Sequence, residues 1–149
     1  MARLPGSVLF ACTLNSIRSP MAAALMRKLH GRRVFIDSVG VRTAPIDAFA
    51  VAVMAEIGLD IKYHQAKSFD ELEDTSFDLV ISLSPDAQHT AVELTRSMAC
   101  DVEFWPVLDP TGMESSREET LAAYRMVRDQ LQKRILQRFP AQKKQTGDS

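Results

Sequence analysis

The stretch VLFACTLNSIRSPMAAALM, residues 8–26, decides the fold because an apolar run passes directly into a helical pattern. SVLFA (7–11) is a short continuous apolar run, which is typical of a buried strand. PMAAALMRKLH (20–30) is rich in Ala, Leu and Met and begins with a proline, a residue suited to the first turn of a helix. The sequence therefore predicts a strand and a helix joined by a loop over residues 12–19.

The rest of the chain repeats this alternation of short apolar runs and helical patterns. Further strands are predicted at 34–39, 77–83 and 101–105, and further helices at 46–57, 85–98 and 117–139. Strands separated by helices of this length form right-handed β-α-β units, and hence a parallel sheet with helices on both faces. We expect one α/β domain over residues 1–139 and a disordered tail at 140–149, which lacks apolar anchors.

The composition excludes several classes of protein. The 149 residues carry a formal net charge of -1, which gives no electrostatic footprint for nucleic acid or an anionic membrane surface. No apolar run approaches the roughly 18 residues that span a bilayer. The two cysteines, Cys12 and Cys100, are too few for a disulfide framework and fit a reducing cytoplasm. His30 and His89 are expected on helix surfaces, and the Cys, His and acidic residues show no metal-site spacing, so no metal or cofactor is expected.

The 12–19 loop places Cys12 at a strand end and Arg18 at the start of the following helix. Parallel sheets bind ligands at the carboxyl ends of their strands. A tetrahedral dianion is bound best by converging backbone N–H groups and a helix N-terminus, to which an arginine adds a two-pronged contact. A cysteine beneath such an anion lies in line for attack, and the same positive field favours its thiolate. The hydroxyl of Ser19 could donate to the sulfur.

A simpler interpretation is a buried Cys12 that packs as a small apolar residue, with Arg18 exposed on a helix. A Cys-x5-Arg spacing alone arises often by chance. The strand before the loop and the helix after it favour the anion-binding interpretation.

The same residues resemble a known family. VLFACTLNSIRSPMAAALM is similar to the N-terminal signature of the low-molecular-weight protein-tyrosine phosphatases and of their relatives, the thioredoxin-coupled arsenate reductases. Further similar segments follow in the same order along the chain: DSVG (37–40), GLDIKYHQAK (58–67), FDLVISLS (77–84) and LDPTG (108–112). On these grounds we expect a four-stranded parallel sheet with strand order 2-1-3-4.

The resemblance implies a role for each matching residue. Cys12 would be the nucleophile and Arg18 the phosphate clamp, and Asp109 would protonate the leaving tyrosine oxygen and then activate water. Asn15 would adopt a left-handed conformation within the loop, and His64 would brace it. The residues expected to bind phosphate, sulfate or arsenate are Thr13, Leu14, Asn15, Ser16, Ile17, Arg18 and Ser19. The implied substrate is phosphotyrosine on a protein, hydrolysed through a cysteinyl-phosphate.

Three residues depart from the family pattern. Leu14 replaces a loop glycine, which could narrow the backbone's choices. Ile17 replaces a second loop cysteine that protects the nucleophile in many members. Thr111 stands where many phosphatases have a tyrosine, so stacking on the substrate ring would come from elsewhere, with Trp105 and Phe49 as the candidates.

Two alternative functions remain at this point. The loop and the terminal helix also resemble those of the arsenate reductases, but the cysteines that those enzymes have after the third strand are replaced here by Ser82, Leu83 and Ser84. Cys100 is the only spare thiol and is expected to be buried, so thioredoxin-coupled reduction is disfavoured, whereas reduction assisted by glutathione or glutaredoxin needs fewer protein thiols. The other alternative is a weakly catalytic phosphate-binding module, if Leu14 deforms the loop.

Overall fold

Strands and helices alternate along the chain in the computed structural model, which describes residues 4–73, 76–112 and 116–141. Most of the predicted tail, residues 142–149, lies outside the described residues. The elements in chain order are β1 (Ser7–Cys12), α1 (Arg18–His30), β2 (Phe35–Gly40), α2 (Ala48–Ala55), a short 3-10 helix (Phe69–Glu71), β3 (Leu79–Ser82), α3 (Pro85–Leu94), β4 (Asp101–Phe104) and α4 (Arg117–Arg138).

The four strands form one parallel sheet in the order β2-β1-β3-β4, which confirms the predicted topology. Cys12 at the end of β1 lies beside Gly40 at the end of β2. Ala11 pairs with Ser82, which in turn pairs with Phe104. The carboxyl ends of all four strands therefore meet at one edge of the sheet, where β1 leads into the 12–19 loop.

Both faces of the sheet are covered by helices, as predicted. Along β1, Val8, Phe10 and Cys12 point to the face that packs against α1 and α4. Leu9 and Ala11 point to the opposite face, which α3 covers. This alternation follows from the two-residue period of a strand. It places the Cys12 side chain on the face where α1 begins.

The helix boundaries differ from the predicted ones at several ends. α1 begins at Arg18, two residues before the predicted start at Pro20. A proline fits there because the first N–H groups of a helix have no intrahelical acceptor. α3 ends at Leu94 rather than at residue 98. The backbone N–H groups of residues 95–97 donate to the carbonyl oxygens three residues earlier, which makes turns instead of a further α-helical turn. α2 is shorter than predicted at both ends, and the 3-10 helix was not predicted.

His30 does not lie on the surface as predicted. Its side chain is buried at the end of α1, where its ring nitrogen Nε2 lies 2.8 Å from the carbonyl oxygen of Phe139. The two rings also meet edge to face. His30 therefore connects α1 to the end of α4, whereas His89 is exposed on α3 as predicted. Within the described residues, no helix combines the length and the apolar character needed to cross a membrane.

Candidate active site

The carbonyl groups of the 12–19 loop are bound from outside by the segment that follows β2. The backbone N–H groups of residues 41, 42, 44 and 47 donate to the carbonyl oxygens of residues 12, 13, 14 and 16 over 2.8–3.1 Å. Because all peptide bonds described are trans, each N–H points away from the carbonyl of the same peptide unit. The amides of residues 13, 14, 15 and 17 therefore point to the side opposite the 41–47 segment.

None of the amides of residues 13–18 is hydrogen-bonded to another described part of the chain. The helix that follows adds to this donor-rich surface. The N-cap of α1 is Ile17, which offers no side-chain acceptor, and the first turn contains no acidic residue. No side chain of the first turn therefore compensates the positive end of the helix dipole. Helix N-termini in this state bind anions.

Asn15 supports the loop from within. Its φ of 55° is the only positive value at a non-glycine residue in the described part of the chain. Its side chain is fully buried, and its amide nitrogen Nδ2 donates to the hydroxyls of Ser19 (2.8 Å) and Ser38 (3.0 Å). The oxygen Oδ1 accepts the backbone N–H of Lys67 at 3.0 Å. Asn15 therefore ties together the loop, β2 and the segment before the 3-10 helix.

His64 braces the same asparagine from outside. Its Nε2 lies 3.0 Å from Oδ1 and 3.2 Å from the backbone oxygen of Asn15. Both partners are acceptors, so Nε2 carries the hydrogen. Burial lowers the pKa of His64 below its usual 6.5, and nearby Arg27 and Lys67 act in the same direction. These effects outweigh the hydrogen bond to the Asn15 carbonyl, which acts in the opposite direction.

We expect His64 to make the protein less stable at acidic pH. Because its pKa is lower in the folded state, the unfolded chain binds more protons, and the free energy of unfolding falls as the pH drops below about 6.5. The slope from this one group is at most about 1.4 kcal/mol per pH unit, and less for a half-buried ring. The free energy of unfolding, measured by urea denaturation at several pH values between 5 and 7, should depend less steeply on pH in His64→Gln, which keeps an N–H donor, than in the wild type. An unchanged slope would contradict the assignment.

Among the described residues, the sulfur of Cys12 has one side-chain hydrogen-bond partner, the hydroxyl of Ser19, at 2.9 Å. That hydroxyl accepts from Asn15, so its own hydrogen can go to the sulfur or to the Val39 carbonyl at 3.2 Å. A thiolate can only accept. Ser19 is therefore placed to donate to the sulfur once Cys12 ionises.

Arg18 is almost fully buried and is held at two points. Its NH1 donates to the backbone oxygen of Val107 at 2.9 Å, and its NH2 donates to the hydroxyl of Thr13 at 3.3 Å. Its guanidinium is therefore connected to the chain just before Asp109.

Cys12, Arg18 and Asp109 line one cleft of about 240 Å³ at the carboxyl edge of the sheet. Oδ1 of Asp109 accepts the backbone N–H (2.9 Å) and the hydroxyl (2.7 Å) of Thr111, and Asp109 is exposed. Oδ2 has no hydrogen bond within the described residues and is available for a proton. The remaining residues that line the cleft are Leu14, Ser16, Ile17, Ala44, Pro45, Asp47 and Thr111.

The comparison with known proteins agrees with this geometry. The sequence profile of the low molecular weight phosphotyrosine protein phosphatases matches residues 7–146. The chain belongs to this family.

Relatives in the family carry two kinds of name. The glutaredoxin arsenate reductase of Synechocystis sp. is 29% identical over 129 residues, which cover 86% of this chain and 92% of that protein. The low molecular weight protein tyrosine phosphatase of T. tengcongensis is 30% identical, with a TM-score of 0.70 over 85% of this chain and 92% of its own. An arsenate reductase in a phosphate-binding state is 25% identical, with a TM-score of 0.67 over 88% and 94%. Further curated relatives are also named arsenate reductase.

Three of the loop residues predicted to bind phosphate do not place their side chains in the cleft. The side chains of Thr13, Asn15 and Ser19 lie outside the residues that line the cleft and contact neighbouring segments instead. Leu14, Ser16, Ile17 and Arg18 do line it. Leu14 does not require the glycine conformation, because positive φ is confined to Asn15 in this loop.

The suggested aromatic groups are not in the cleft. Trp105 is buried against Phe10 and Phe139, and Phe49 packs against Tyr124. Neither Trp105 nor Phe49 is among the residues that line the cleft.

Sequence reasoning missed Asp47 as a cleft residue. Asp47 caps α2 by accepting from the amides of residues 49 and 50, and its Oδ2 accepts the hydroxyl of Tyr124 at 2.9 Å. The sequence feature that could have indicated Asp47 is its position shortly after β2. The carboxyl end of β2 lies beside that of β1, where the 12–19 loop begins. Within the described residues, no group of three or more Cys, His or acidic side chains is arranged to bind a metal.

Gly40 is the second residue that sequence reasoning missed. A Cβ there would lie 2.3 Å from the oxygen of Arg42, 2.7 Å from the nitrogen of Asn15 and 2.8 Å from the carbonyl carbon of Leu14. The 12–19 loop thus packs directly on the backbone of β2, which only a glycine permits.

We expect Gly40→Ala to displace the 12–19 loop. The clash should lower the free energy of unfolding by about 1–3 kcal/mol and weaken binding of inorganic phosphate. Urea denaturation and phosphate titration measure the two effects. Gly58→Ala is the control, since its φ of 79° strains an alanine but its Cβ meets nothing within 4 Å. It should lower stability and leave phosphate affinity unchanged, and wild-type phosphate affinity in Gly40→Ala would contradict the prediction.

Proposed function

We propose that this member of the family hydrolyses phosphotyrosine on proteins through a cysteinyl-phosphate intermediate. The observation that carries the proposal is the cleft in which Cys12, Arg18 and Asp109 lie together at the mouth of the 12–19 loop. These three side chains supply a nucleophile, a cation that binds two phosphate oxygens, and an acid. That set is sufficient for phosphoryl transfer without a metal ion.

In the first step, the phosphate of the substrate binds to the amides of residues 13–18. The sulfur of Cys12 then attacks the phosphorus, and the bond between phosphorus and the tyrosine oxygen breaks. Arg18 and the loop amides stabilise the charge on the three equatorial oxygens. Asp109 gives its proton to the departing oxygen, so the product leaves as a phenol.

In the second step, water displaces the sulfur from the phosphorus. Asp109, now ionised, takes a proton from that water as it attacks. The hydroxyl of Ser19 donates to the leaving sulfur, which stabilises the thiolate that is released. Inorganic phosphate then dissociates, and the enzyme returns to its starting state.

The walls of the cleft are aliphatic rather than aromatic. Leu14, Ile17, Ala44 and Pro45 line it, and none of the lining residues is aromatic. Such walls would bury a phenyl ring through apolar contact without stacking on it. The cytoplasmic location predicted from the sequence is part of the proposal.

A second candidate function is arsenate reduction, and the names of the curated relatives favour it over hydrolysis. Arsenate has the shape and charge of phosphate and would bind to the same amides. The thiolate of Cys12 would displace a hydroxyl group from arsenate, which leaves as water, and form a thiol-arsenate adduct. A thiol of the reductant would then attack the Cys12 sulfur, so that the electrons of the S–As bond reduce As(V) to As(III), arsenite leaves and a mixed disulfide forms on Cys12, which a second thiol reduces.

The position of Cys100 argues for an external reductant in that case. Phe104 lies level with Ala11 across the sheet, so Cys100 lies near the opposite end of the strands from Cys12. The separation is about 16 Å along the strands and about 10 Å across them. A disulfide needs Cα atoms within about 7 Å. Cys100 is partly exposed rather than buried as expected, and it packs on the α3 face. Reduction by glutathione or glutaredoxin is therefore more suitable than a relay through Cys100 to thioredoxin.

Parallel assays with purified protein separate these functions. Hydrolysis is measured on p-nitrophenyl phosphate and a phosphotyrosine peptide, and arsenate reduction on arsenate with glutathione and glutaredoxin, or with thioredoxin. We expect hydrolysis that depends on Cys12 and a kcat/KM for the peptide above that for arsenate. A higher kcat/KM for arsenate would establish the second function. Phosphate binding without turnover in either assay would indicate a binding module.

A further inference from the structure

The hydroxyl of Thr13 connects Arg18 to a carboxylate at the start of α3. Thr13 Oγ1 lies 2.9 Å from Oδ1 of Asp86 and 3.2 Å from the hydroxyl of Ser84. Arg18 NH2 approaches the same Oγ1 at 3.3 Å. This contact joins two segments that are 73 residues apart in the chain.

The direction of these hydrogen bonds follows from the chemistry of the groups. Thr13 has one hydroxyl hydrogen, and the carboxylate of Asp86 can only accept. Ser84 donates its own hydrogen to Oδ1 of Asp86, at 2.6 Å. Thr13 Oγ1 lies closer to Oδ1 of Asp86 than to the Ser84 hydroxyl, so the Thr13 hydroxyl donates to Asp86. The lone pairs of Thr13 Oγ1 are then free to accept from Arg18.

The charge of Asp86 keeps this arrangement in place. Partial burial raises the pKa of its carboxyl, but hydrogen bonds from Ser84, Thr13 and the amide of Ala87 outweigh that effect and hold the pKa below its usual value. Asp86 is therefore ionised at neutral pH and always acts as the acceptor.

Arg18 is fixed from two sides by these contacts. The Val107 oxygen holds NH1, and the Thr13 hydroxyl holds NH2. Each contact uses one of the five guanidinium N–H groups, so three remain for an anion. Two are enough for a two-pronged contact with phosphate.

We propose that Asp86 is a positioning residue that acts through the Thr13 hydroxyl to orient the Arg18 guanidinium towards the bound oxyanion. The proposal rests on the proposed function in so far as Arg18 binds phosphate in the cleft. It extends the catalytic machinery to α3, which contributes no residue to the cleft itself.

A double-mutant cycle tests the chain of contacts. Thr13→Val removes the hydroxyl at nearly constant shape, and Asp86→Ala removes the acceptor behind it. Each should lower kcat/KM for p-nitrophenyl phosphate by about 10-fold, because a misoriented arginine binds the transition state poorly. The double variant should lose no more than the more impaired single variant, because Asp86 acts through Thr13.

Two further variants separate orientation from a structural effect. Thr13→Ser restores the hydroxyl and should recover at least half of the wild-type kcat/KM. Thr95→Val removes a hydroxyl at the other end of α3 whose one hydrogen bond within the described residues goes to the Val92 carbonyl, and it should behave as wild type. Losses that multiply in the double variant, or a Thr13→Ser as impaired as Thr13→Val, would overturn the proposal.

Binding of inorganic phosphate gives a readout that does not require turnover. Its dissociation constant should rise about equally in Thr13→Val, Asp86→Ala and the double variant. If the wild type hydrolyses nothing but this pattern holds, the proposed function fails and the positioning role stands. If the wild type hydrolyses phosphate esters and the three variants bind phosphate as the wild type does, the positioning role fails alone.

Discussion

Cys12→Ser should abolish hydrolysis of p-nitrophenyl phosphate, with a loss in kcat on the order of 10⁴-fold or more. A serine hydroxyl at this position is a far weaker nucleophile than a cysteine sulfur, so the phosphorus should no longer be attacked. The amides of residues 13–18 and the Arg18 side chain are unchanged by the substitution, so inorganic phosphate should still bind. Steady-state kinetics and phosphate titration on the same preparation measure both effects.

The chain offers a matched control in its second cysteine. Cys100→Ser removes a thiol that lies near the opposite end of the strands and packs on the other face of the sheet. It should leave hydrolysis unchanged. Activity retained in Cys12→Ser, or lost in Cys100→Ser, would contradict the assignment of the nucleophile.

Asp109→Asn should have an effect that depends on the leaving group. An asparagine cannot donate a proton to the departing oxygen, so kcat/KM for phenyl phosphate, which reports the steps up to release of the phenol, should fall by about 10²–10⁴-fold. The loss for p-nitrophenyl phosphate should be smaller, because nitrophenolate needs less help to leave. The contacts of Oδ1 with Thr111 can be retained by the amide oxygen, so the loop should keep its conformation.

Asp60→Asn provides the matched control for Asp109→Asn. Asp60 is exposed and pairs with Lys62 on the surface, and it is not among the residues that line the cleft. Its kinetics should match those of the wild type for both esters. If Asp109→Asn lowered kcat/KM equally for both esters, or for neither, Asp109 would not be the acid.

The sheet and the position of the 12–19 loop could be predicted from the sequence for a physical reason. Buried strands and amphipathic helices leave periodic patterns, and the carboxyl end of a parallel strand followed by a helix is a natural anion site. The Cys12-to-Ser19 spacing therefore indicated the loop, and the family resemblance implied the left-handed Asn15 and the contact of His64.

The supporting contacts could not be predicted because they join distant segments. Gly40 matters only because the 12–19 loop crosses β2 at van der Waals distance. Asp86 matters only because α3 begins beside Thr13. Asp47 looks like an ordinary helix cap until the fold places it in the cleft. Each depends on tertiary geometry, and none leaves a periodic signal in the chain.

The positions of the two cysteines show the same limit. The sequence identified Cys100 as the only spare thiol, and its distance from Cys12 depends on the register of three strands. That register places Cys100 out of reach of Cys12 for a disulfide. The sequence already disfavoured an internal relay, because Ser82, Leu83 and Ser84 stand where the cysteines would be, and the register adds that Cys100 lies too far away to replace them.

The most direct test of the proposed mechanism is acid quenching of the enzyme during turnover, followed by peptide mass spectrometry. The proposed mechanism predicts one added phosphoryl group on the peptide that contains Cys12, present during turnover and absent from Cys12→Ser. Steady hydrolysis with no such adduct, or with the phosphoryl group on another residue, would contradict it.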